Sequence, residues 1–479
     1  MSFRPLSSRS TPPSTPSTPS TAAGATPAAT STGRVPRPLW LSYLGILAPM
    51  ILTNALQAAS GTVDGIWIGQ LLGVDAIAAV SAFFPLLFLA LALVIGLASG
   101  AAVLIGQAWG AGDRAGVRRI AATAVAMLAA LGLMLSLGGP LAAPRLMQAL
   151  GTPPAILPAA VDYAAMMMAG SPAIFLLWLA TAMSRGVGDA VTPLKAFAVA
   201  GCVSLAATPA LITGWGGLPR CGVASAAISA AGGATAALAW MAWHWRSTGH
   251  PLAPGWPWRF GFDRRLARRI LAIGLPTALQ MATMAVAEIA MLGIVNRHGA
   301  GATAIYGATN QVLSWVQFPV MSIGITATVL AAHMIGAGRP EAIGRVMATG
   351  LWLNLAVTGL VVAIASVAAP SALGLFLTDA VLVDQAAGFL RLMLWSLVFS
   401  GWSAVLTGIM RADGTVMMPT LLAMAAIVAI EVPVAYFGAQ RLGLSGVWIG
   451  YAAAFTAMPI MQAGYYRWVW SRRPARRLV

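Results

Sequence analysis

The chain repeats itself at one fixed offset. Gly73 pairs with Gly299, Gly110-Ala111-Gly112 with Gly336-Ala337-Gly338, Arg119 with Arg345, Arg185 with Arg411 and Pro193 with Pro419, all 226 residues apart, while Pro49 and Pro276 are 227 apart. Anchors held in one register along such a length mark two copies of one structural unit. The copies are strongly apolar: 59% of the chain is hydrophobic and 8% charged, with mean hydropathy +0.82. Soluble domains carry roughly 25% charged residues, so a soluble fold is excluded.

Stretches of about 20 apolar residues, enough to cross a hydrocarbon core of about 30 Å, recur between short polar breaks. Twelve are expected, at 39–66, 76–106, 117–139, 157–183, 191–213, 222–245, 268–295, 302–332, 343–369, 386–409, 417–439 and 446–470. Six spans per copy bring each copy back to the side it started from. The copies are therefore parallel repeats about an axis along the membrane normal, an all-α membrane fold of two six-helix lobes. The expected organisation is a Ser/Thr/Pro-rich disordered tail at 1–37, a first lobe at 38–245, a linker at 246–267, a second lobe at 268–470 and a basic tail at 471–479. The tail lacks large apolar side chains to offset chain entropy, and no compact signal-peptide core precedes Trp40.

The net charge of +16 invites a nucleic-acid reading, which its distribution removes. With the N-terminus inside, 23 of the 28 Lys and Arg fall on the inner side; Arg145, Arg220, Arg297, Arg391 and Arg441 fall outside. This positive-inside bias predicts both termini in the cytoplasm of a bacterial-type inner membrane. Cys202 in a span and Cys221 near a helix end read as packing residues, not a disulfide, and no Cys and His spacing suggests a metal.

Gly110-Ala111-Gly112 and its copy suit helix-ending turns that need positive φ. They lack the preceding strand and following Lys-Ser/Thr of a phosphate loop. Ser184-Arg185-Gly186-Val187-Gly188-Asp189 with Thr192-Pro193 ends the fourth span, and Met410-Arg411-Ala412-Asp413-Gly414 with Pro419 ends the tenth. Together with Ala48-Pro49-Met50-Ile51-Leu52-Thr53-Asn54 and Thr62-Val63-Asp64-Gly65-Ile66-Trp67-Ile68-Gly69, these turns make the chain resemble the multidrug and toxic compound extrusion (MATE) family from about Leu39 to Trp470. The resemblance implies two lobes forming a V around a central cavity, with alternating access driven by protons or sodium ions. It also implies cargo of organic cations and amphipathic toxic compounds.

Only Asp64, Glu288 and Glu431, of twelve acidic residues, fall inside predicted spans. A carboxylate at a helix centre in hydrocarbon costs roughly 2.5 to 3.5 kcal/mol on insertion scales, so it faces a cavity or a partner. Desolvation favours the neutral acid, which suits a group that loads and releases a proton. Asp64 follows Pro49 by fifteen residues, where the resemblance implies a coupling carboxylate and a bend at the proline. The bland alternative is an interfacial Asp at the outer helix end, since Leu39 to Asp64 covers roughly 38 Å as helix.

Many relatives complete that site with an Asn and an Asp on the fifth span; Ser204 and Thr208 stand there instead. One carboxylate with two hydroxyls suits a proton better than sodium, which wants several oxygen ligands. Glu288 resembles the family's second-lobe acid, displaced by about one turn, whereas the tenth span has Phe399-Ser400-Gly401-Trp402 where some relatives place an Asp. Glu431, two residues before Pro433, has no family role to inherit and suits a proton relay, a cation contact or a structural hydrogen bond equally. Asn54, Gln57, Gln280, Asn310, Gln311 and Gln317 are candidate cavity groups, each also explained as interhelical glue. The 23 Met and 17 Trp suit a greasy, adaptable pocket, although interfacial belts account for Trp at span ends.

The expectation is a monomeric antiporter without cofactor, set among membrane lipids, exchanging amphipathic cations for protons or, less in keeping with the residues, sodium. A lipid or lipid-linked oligosaccharide flippase of the same superfamily would favour a basic cavity for phosphates, against the acidic groups here. A membrane transferase would cluster His, Asp or Glu at one face, whereas His244, His250, His298 and His333 are scattered.

Overall fold

A computed structural model of the chain describes residues 38–217, 219–253, 261–377 and 379–479. The tail expected at 1–37, and Pro254 and Pro257 of the linker, lie outside the described residues. Among those described there is no β-strand. The helices are α1 (Leu39–Leu72), α2 (Val74–Gly110), α3 (Arg114–Ala149), α4 (Leu157–Ala169), α5 (Ser171–Gly186), α6 (Val191–Thr213) and α7 (Ala224–Ser247) in the first repeat. The second contains α8 (Arg264–Asn296), α9 (Ala300–Gly336), α10 (Ile343–Leu373), α11 (Ala380–Ala412), α12 (Met417–Ala426), α13 (Val432–Leu442) and α14 (Leu444–Tyr465). Among the described residues, eleven helices or continuous helical runs are long and apolar enough to span, and the bent pair α4 and α5 makes a twelfth. The chain is a multi-pass membrane protein.

The fourth span breaks by 51° for a local reason. Pro172 lies at the start of α5, where its ring and missing N–H interrupt the helical ladder. The resulting polar atoms find partners on α3: the Ser136 hydroxyl donates to the Ala169 carbonyl at 2.8 Å and Ser171 donates to the Gly132 carbonyl at 3.1 Å. Gly132 has no side chain to keep α3 away from Pro172. In the second repeat the equivalent stretch lies inside α11, which runs unbroken. The repeats thus keep their register to within one residue but differ in shape.

A second irregularity lies in the eleventh span. Ile427–Glu431 form a wide π-turn between α12 and α13, just before Pro433. A proline has no N–H to give to the preceding turn, and a π-bulge absorbs such a mismatch without breaking the span.

The first helix of each repeat crosses between the two packed cores. In its first half α1 places Tyr43, Leu47 and Met50 with Ile323 of α9, Val346 of α10 and Val405 of α11. The Tyr43 hydroxyl donates to the Val346 carbonyl at 2.8 Å. Beyond its midpoint, α1 turns to α6, where Gly201 leaves room for Ser60. Helix α8 does the converse: Leu266, Ile270 and Ile273 join the core of α2, α3 and α5, whereas Ala287, Met291 and Val295 join the second-repeat core. Pro49 and Pro276 lie in the first halves of these two helices, both of which remain continuous through them.

The end of the bundle where α1 starts and α14 finishes, here termed the terminal side, is where the repeats meet most closely. Gly96 of α2 faces Gly274 of α8, Gly110 faces His333, and Gly336 faces Gln107, each so closely that a Cβ would collide with the facing backbone. Small residues let helix backbones approach in this way where hydrophobicity alone supplies no drive. Among the described residues, hydrogen bonds between the repeats occur from Asn54 toward the terminal side, and the outermost joins the Asn54 amide to the Ser322 hydroxyl at 3.1 Å. Toward the far side Ile66, Leu71 and Ile289 are exposed.

Candidate functional site

Asp64 sits on the far half of α1, half-buried against α6. Thr208 donates its hydroxyl to one carboxylate oxygen and Ser204 donates to the other, both at 3.0 Å. The four-residue spacing puts both hydroxyls on one face of α6, so each oxygen of the acid has its own donor. Ser204 and Thr208 are themselves buried. Tyr163 of α4 is buried and packs edge-on against Phe83 of α2. The structure thus brings together Asp64, Ser204 and Thr208, the three residues that the sequence named for this position.

The second acidic group is built differently. Glu288 on α8 is exposed and accepts hydrogen bonds from the Asn310 amide at 3.2 Å and from the Tyr451 hydroxyl. Tyr451, only 6% exposed, shares a further hydrogen bond of 2.7 Å with the Tyr306 hydroxyl. A chain of polar groups therefore runs from α8 through α14 to α9. Glu431 is 3% exposed at the end of the π-turn. Among the described residues no hydrogen bond or ion pair reaches its carboxyl. At the 226-residue offset that pairs Pro193 with Pro419 in the same span, Glu431 corresponds to Leu205, the residue after Ser204. One repeat therefore has its acid on the first helix and hydroxyls on the fifth, whereas the other has an acid on each.

The remaining candidates divide by location. Asn54 bridges the repeats, Asn310 joins the Glu288 group, and Gln57, Gln280 and Gln317 are half-buried without a side-chain hydrogen bond among the described residues. Gln311 is exposed. Tyr306 and Tyr451 had no sequence signal beyond being aromatic residues in spans. No group of three or more His, Cys, Asp or Glu among the described residues is placed to hold a metal ion.

Outside the spans, the turn between α5 and α6 carries a further charged pair. Asp189 lies 3.5 Å from His250 of the linker and accepts from the backbone N–H groups of Val191 and Thr192 at 3.0 Å. Burial pushes its carboxyl up, yet the hydrogen bonds from His250 and Thr192 outweigh it and bring the pKa down to about 2. The linker is thus tied to the start of α6.

Comparison with known proteins gives this arrangement its family. The family model described as MatE matches twice, at residues 49–209 and 276–437, one match per repeat. The probable multidrug resistance protein YoeA of Bacillus subtilis (strain 168) is 34% identical over 445 residues, covering 92% of this chain and 96% of the relative. A probable multidrug resistance protein NorM of Bradyrhizobium diazoefficiens is 30% identical, covering 86% of this chain and 90% of its own. A solved structure described as the outward-facing conformation of a multidrug resistance MATE family transporter superposes with a TM-score of 0.83 at 22% identity, covering 90% of this chain and 96% of that one. With a family match in each repeat and a relative alike over almost its full length, the chain belongs to the MatE family, whose members are membrane transporters and not enzymes.

Proposed function

We propose that this protein is a multidrug efflux antiporter that expels organic cations and amphipathic compounds in exchange for protons. The terminal side is cytoplasmic, in keeping with the positive-inside distribution of Lys and Arg, and the protein works as a monomer surrounded by inner-membrane lipid. The observation that carries the proton assignment is the Asp64 group: one carboxylate, with each oxygen occupied by a hydroxyl donor. A proton needs one such acid, whereas a hard cation needs more oxygen ligands than this group offers.

The exchange follows from the chemistry of that carboxylate. Ionised, it holds both hydroxyls of α6 through charge-assisted hydrogen bonds; protonated, it accepts more weakly and needs a partner for its own O–H. Protonation therefore loosens the far half of α1 from α6. The near half of the same helix is tied to the second-repeat core through Tyr43, so the loosened state changes the relative stability of the two access states. Glu288 and Glu431 supply negative charge to the second repeat, attracting cationic cargo and joining in proton uptake. Gln57, Gln280, Gln311 and Gln317 provide adaptable polar contacts along the cavity. Relatives named as multidrug resistance proteins support the cargo class.

The test is efflux of ethidium or norfloxacin from vesicles, with parent and Asp64→Asn compared under a pH gradient and then a sodium gradient. Proton-driven efflux lost in the variant is the expected result. Sodium-driven efflux would instead make Ser204 and Thr208 sodium ligands, and absence of efflux under both gradients would favour the flippase reading.

A further inference from the structure

The two repeats close on each other through equivalent side chains, but the closure is completed differently on the two sides. His333 of α9 is hydrogen-bonded to the Gly186 carbonyl at 2.8 Å. Its ring also lies beside Gly188, whose added Cβ would be 3.3 Å from the ring carbon Cε1. The counterparts 226 residues away are Gln107, Ala412 and Gly414. The Gln107 amide donates to the Ala412 carbonyl at 2.7 Å, so the backbone contact is reproduced. Glutamine, however, has no ring to place beside Gly414. That space is taken by Leu478, whose side-chain carbon Cδ1 would be 3.1 Å from a Cβ at Gly414.

The segment Pro474–Val479 is held there by polar contacts as well. Leu478 donates its backbone N–H to the Gln107 side-chain oxygen at 2.7 Å, and the Gln107 amide also reaches the Arg476 carbonyl at 3.3 Å. Arg269 of α8 donates to the Leu478 carbonyl. Leu478 and Val479 pack against the core of α2, α3 and α5, whereas Ala475 packs against the core that α1 shares with the second repeat. A stretch carrying Arg472, Arg473, Arg476 and Arg477 would otherwise be a solvated basic tail. Its apolar residues instead touch both cores at the place where the repeats meet.

We propose that Pro474–Val479 is a built-in latch: seated beside Gly414 and Gln107, it stabilises the state closed on the terminal side and must leave for that side to open. The inference rests on the alternating-access reading of the family. Gln107 holds Ala412 and the latch with one side chain, so opening the repeats and releasing the segment are coupled. The latch adds its own contacts only to the closed state, which biases the equilibrium without touching the cation site.

The experiment uses the whole chain in lipid nanodiscs, with Cys202 and Cys221 replaced by serine and spin labels at Arg118 and Arg345, both exposed on the terminal side. Distance distributions are measured by pulsed electron spin resonance for the parent, Leu478→Ala and Leu478→Asp. Removing a partly buried leucine contact should raise the ratio of long to short distances by roughly tenfold in Leu478→Asp, and less in Leu478→Ala. Monodisperse elution and drug binding like the parent's identify folded variants, and Leu478→Ala serves if the aspartate does not fold. Distributions that superimpose on the parent, or a parent already dominated by long distances, would overturn the latch. The readout needs no transport, so failure of the proton assignment would leave the distance result intact.

Discussion

Gln107 and His333 stand 226 residues apart and bind across the molecule in opposite directions. Gln107, in the first repeat, donates to the Ala412 carbonyl of the second; His333, in the second, bonds the Gly186 carbonyl of the first. Each helix also presents a glycine to the other's hydrogen-bonding residue: Gly336 lies on the Gln107 backbone and Gly110 on the His333 backbone. The pairing is what a two-fold axis between parallel repeats produces, a contact made twice by one set of residues.

This reciprocity makes the two glycines sensitive to any side chain. Valine at Gly110 or Gly336 would collide with facing backbone, which has no rotamer to move aside. Either variant is expected to reach the membrane at normal levels yet to lose drug efflux, because the terminal side no longer closes. Normal efflux by Gly336→Val in vesicles would show that closure does not pass through this contact.

The hydroxyls around Asp64 should matter in proportion to their hydrogen bonds. A bond to a charged group is worth about 1.5–3 kcal/mol, so Thr208→Val combined with Ser204→Ala should slow proton-driven efflux by roughly tenfold or more. Expression and thermal stability should change little in comparison, since the replacements keep α6 apolar and similar in volume. Initial rates in inverted vesicles at a fixed pH gradient decide the matter.

Tyr451 orients Glu288 while keeping its own ring buried, so Tyr451→Phe removes one hydroxyl and little packing. If the Glu288 group receives cationic cargo, the variant should raise the half-saturating concentration of a cationic drug by roughly threefold to tenfold. The maximal rate should hold, and an uncharged substrate should show no such shift. Equal weakening for charged and uncharged compounds would assign Tyr451 to packing.

Asp189 gives a stability prediction outside the membrane. Its folded pKa, about 2, is below the ordinary value of 3.8, so its contribution is full above that ordinary value and is lost as pH falls toward the folded one. Stability against unfolding in detergent should therefore fall between about pH 4 and pH 2 in the parent. Asp189→Asn should cost about 1–2 kcal/mol at neutral pH and show a flatter profile across that window. An unchanged acid profile in the variant would mean that the Asp189 carboxylate and its contacts contribute nothing to stability.

The twelve spans were legible because hydrocarbon thickness and the repeat constrain the same count independently. The Asp64 cluster was legible for a related reason: a carboxylate within an apolar helix demands donors, and Ser204 and Thr208 share one face of α6. What escaped the sequence depends on how helices are placed in space. Tyr451 meets Glu288 across helices far apart in the chain. The π-turn before Pro433 likewise aims Glu431 in a way that helical spacing alone does not fix. Leu478 was hidden by its neighbours, since four arginines dominate the last residues and conceal an apolar anchor.

The crossing of α1 and α8 bears on how such a molecule moves. Were each repeat a self-contained block, the blocks could rock apart along a clean seam. Here each block owns half of a rod whose other half is embedded in its neighbour. Separation on the terminal side must then either extract those rods or flex them, and Pro49 and Pro276, each lacking a backbone hydrogen-bond donor, are the points of least bending stiffness. The two prolines set the compliance of the whole machine: stiffening one of them would freeze both blocks together.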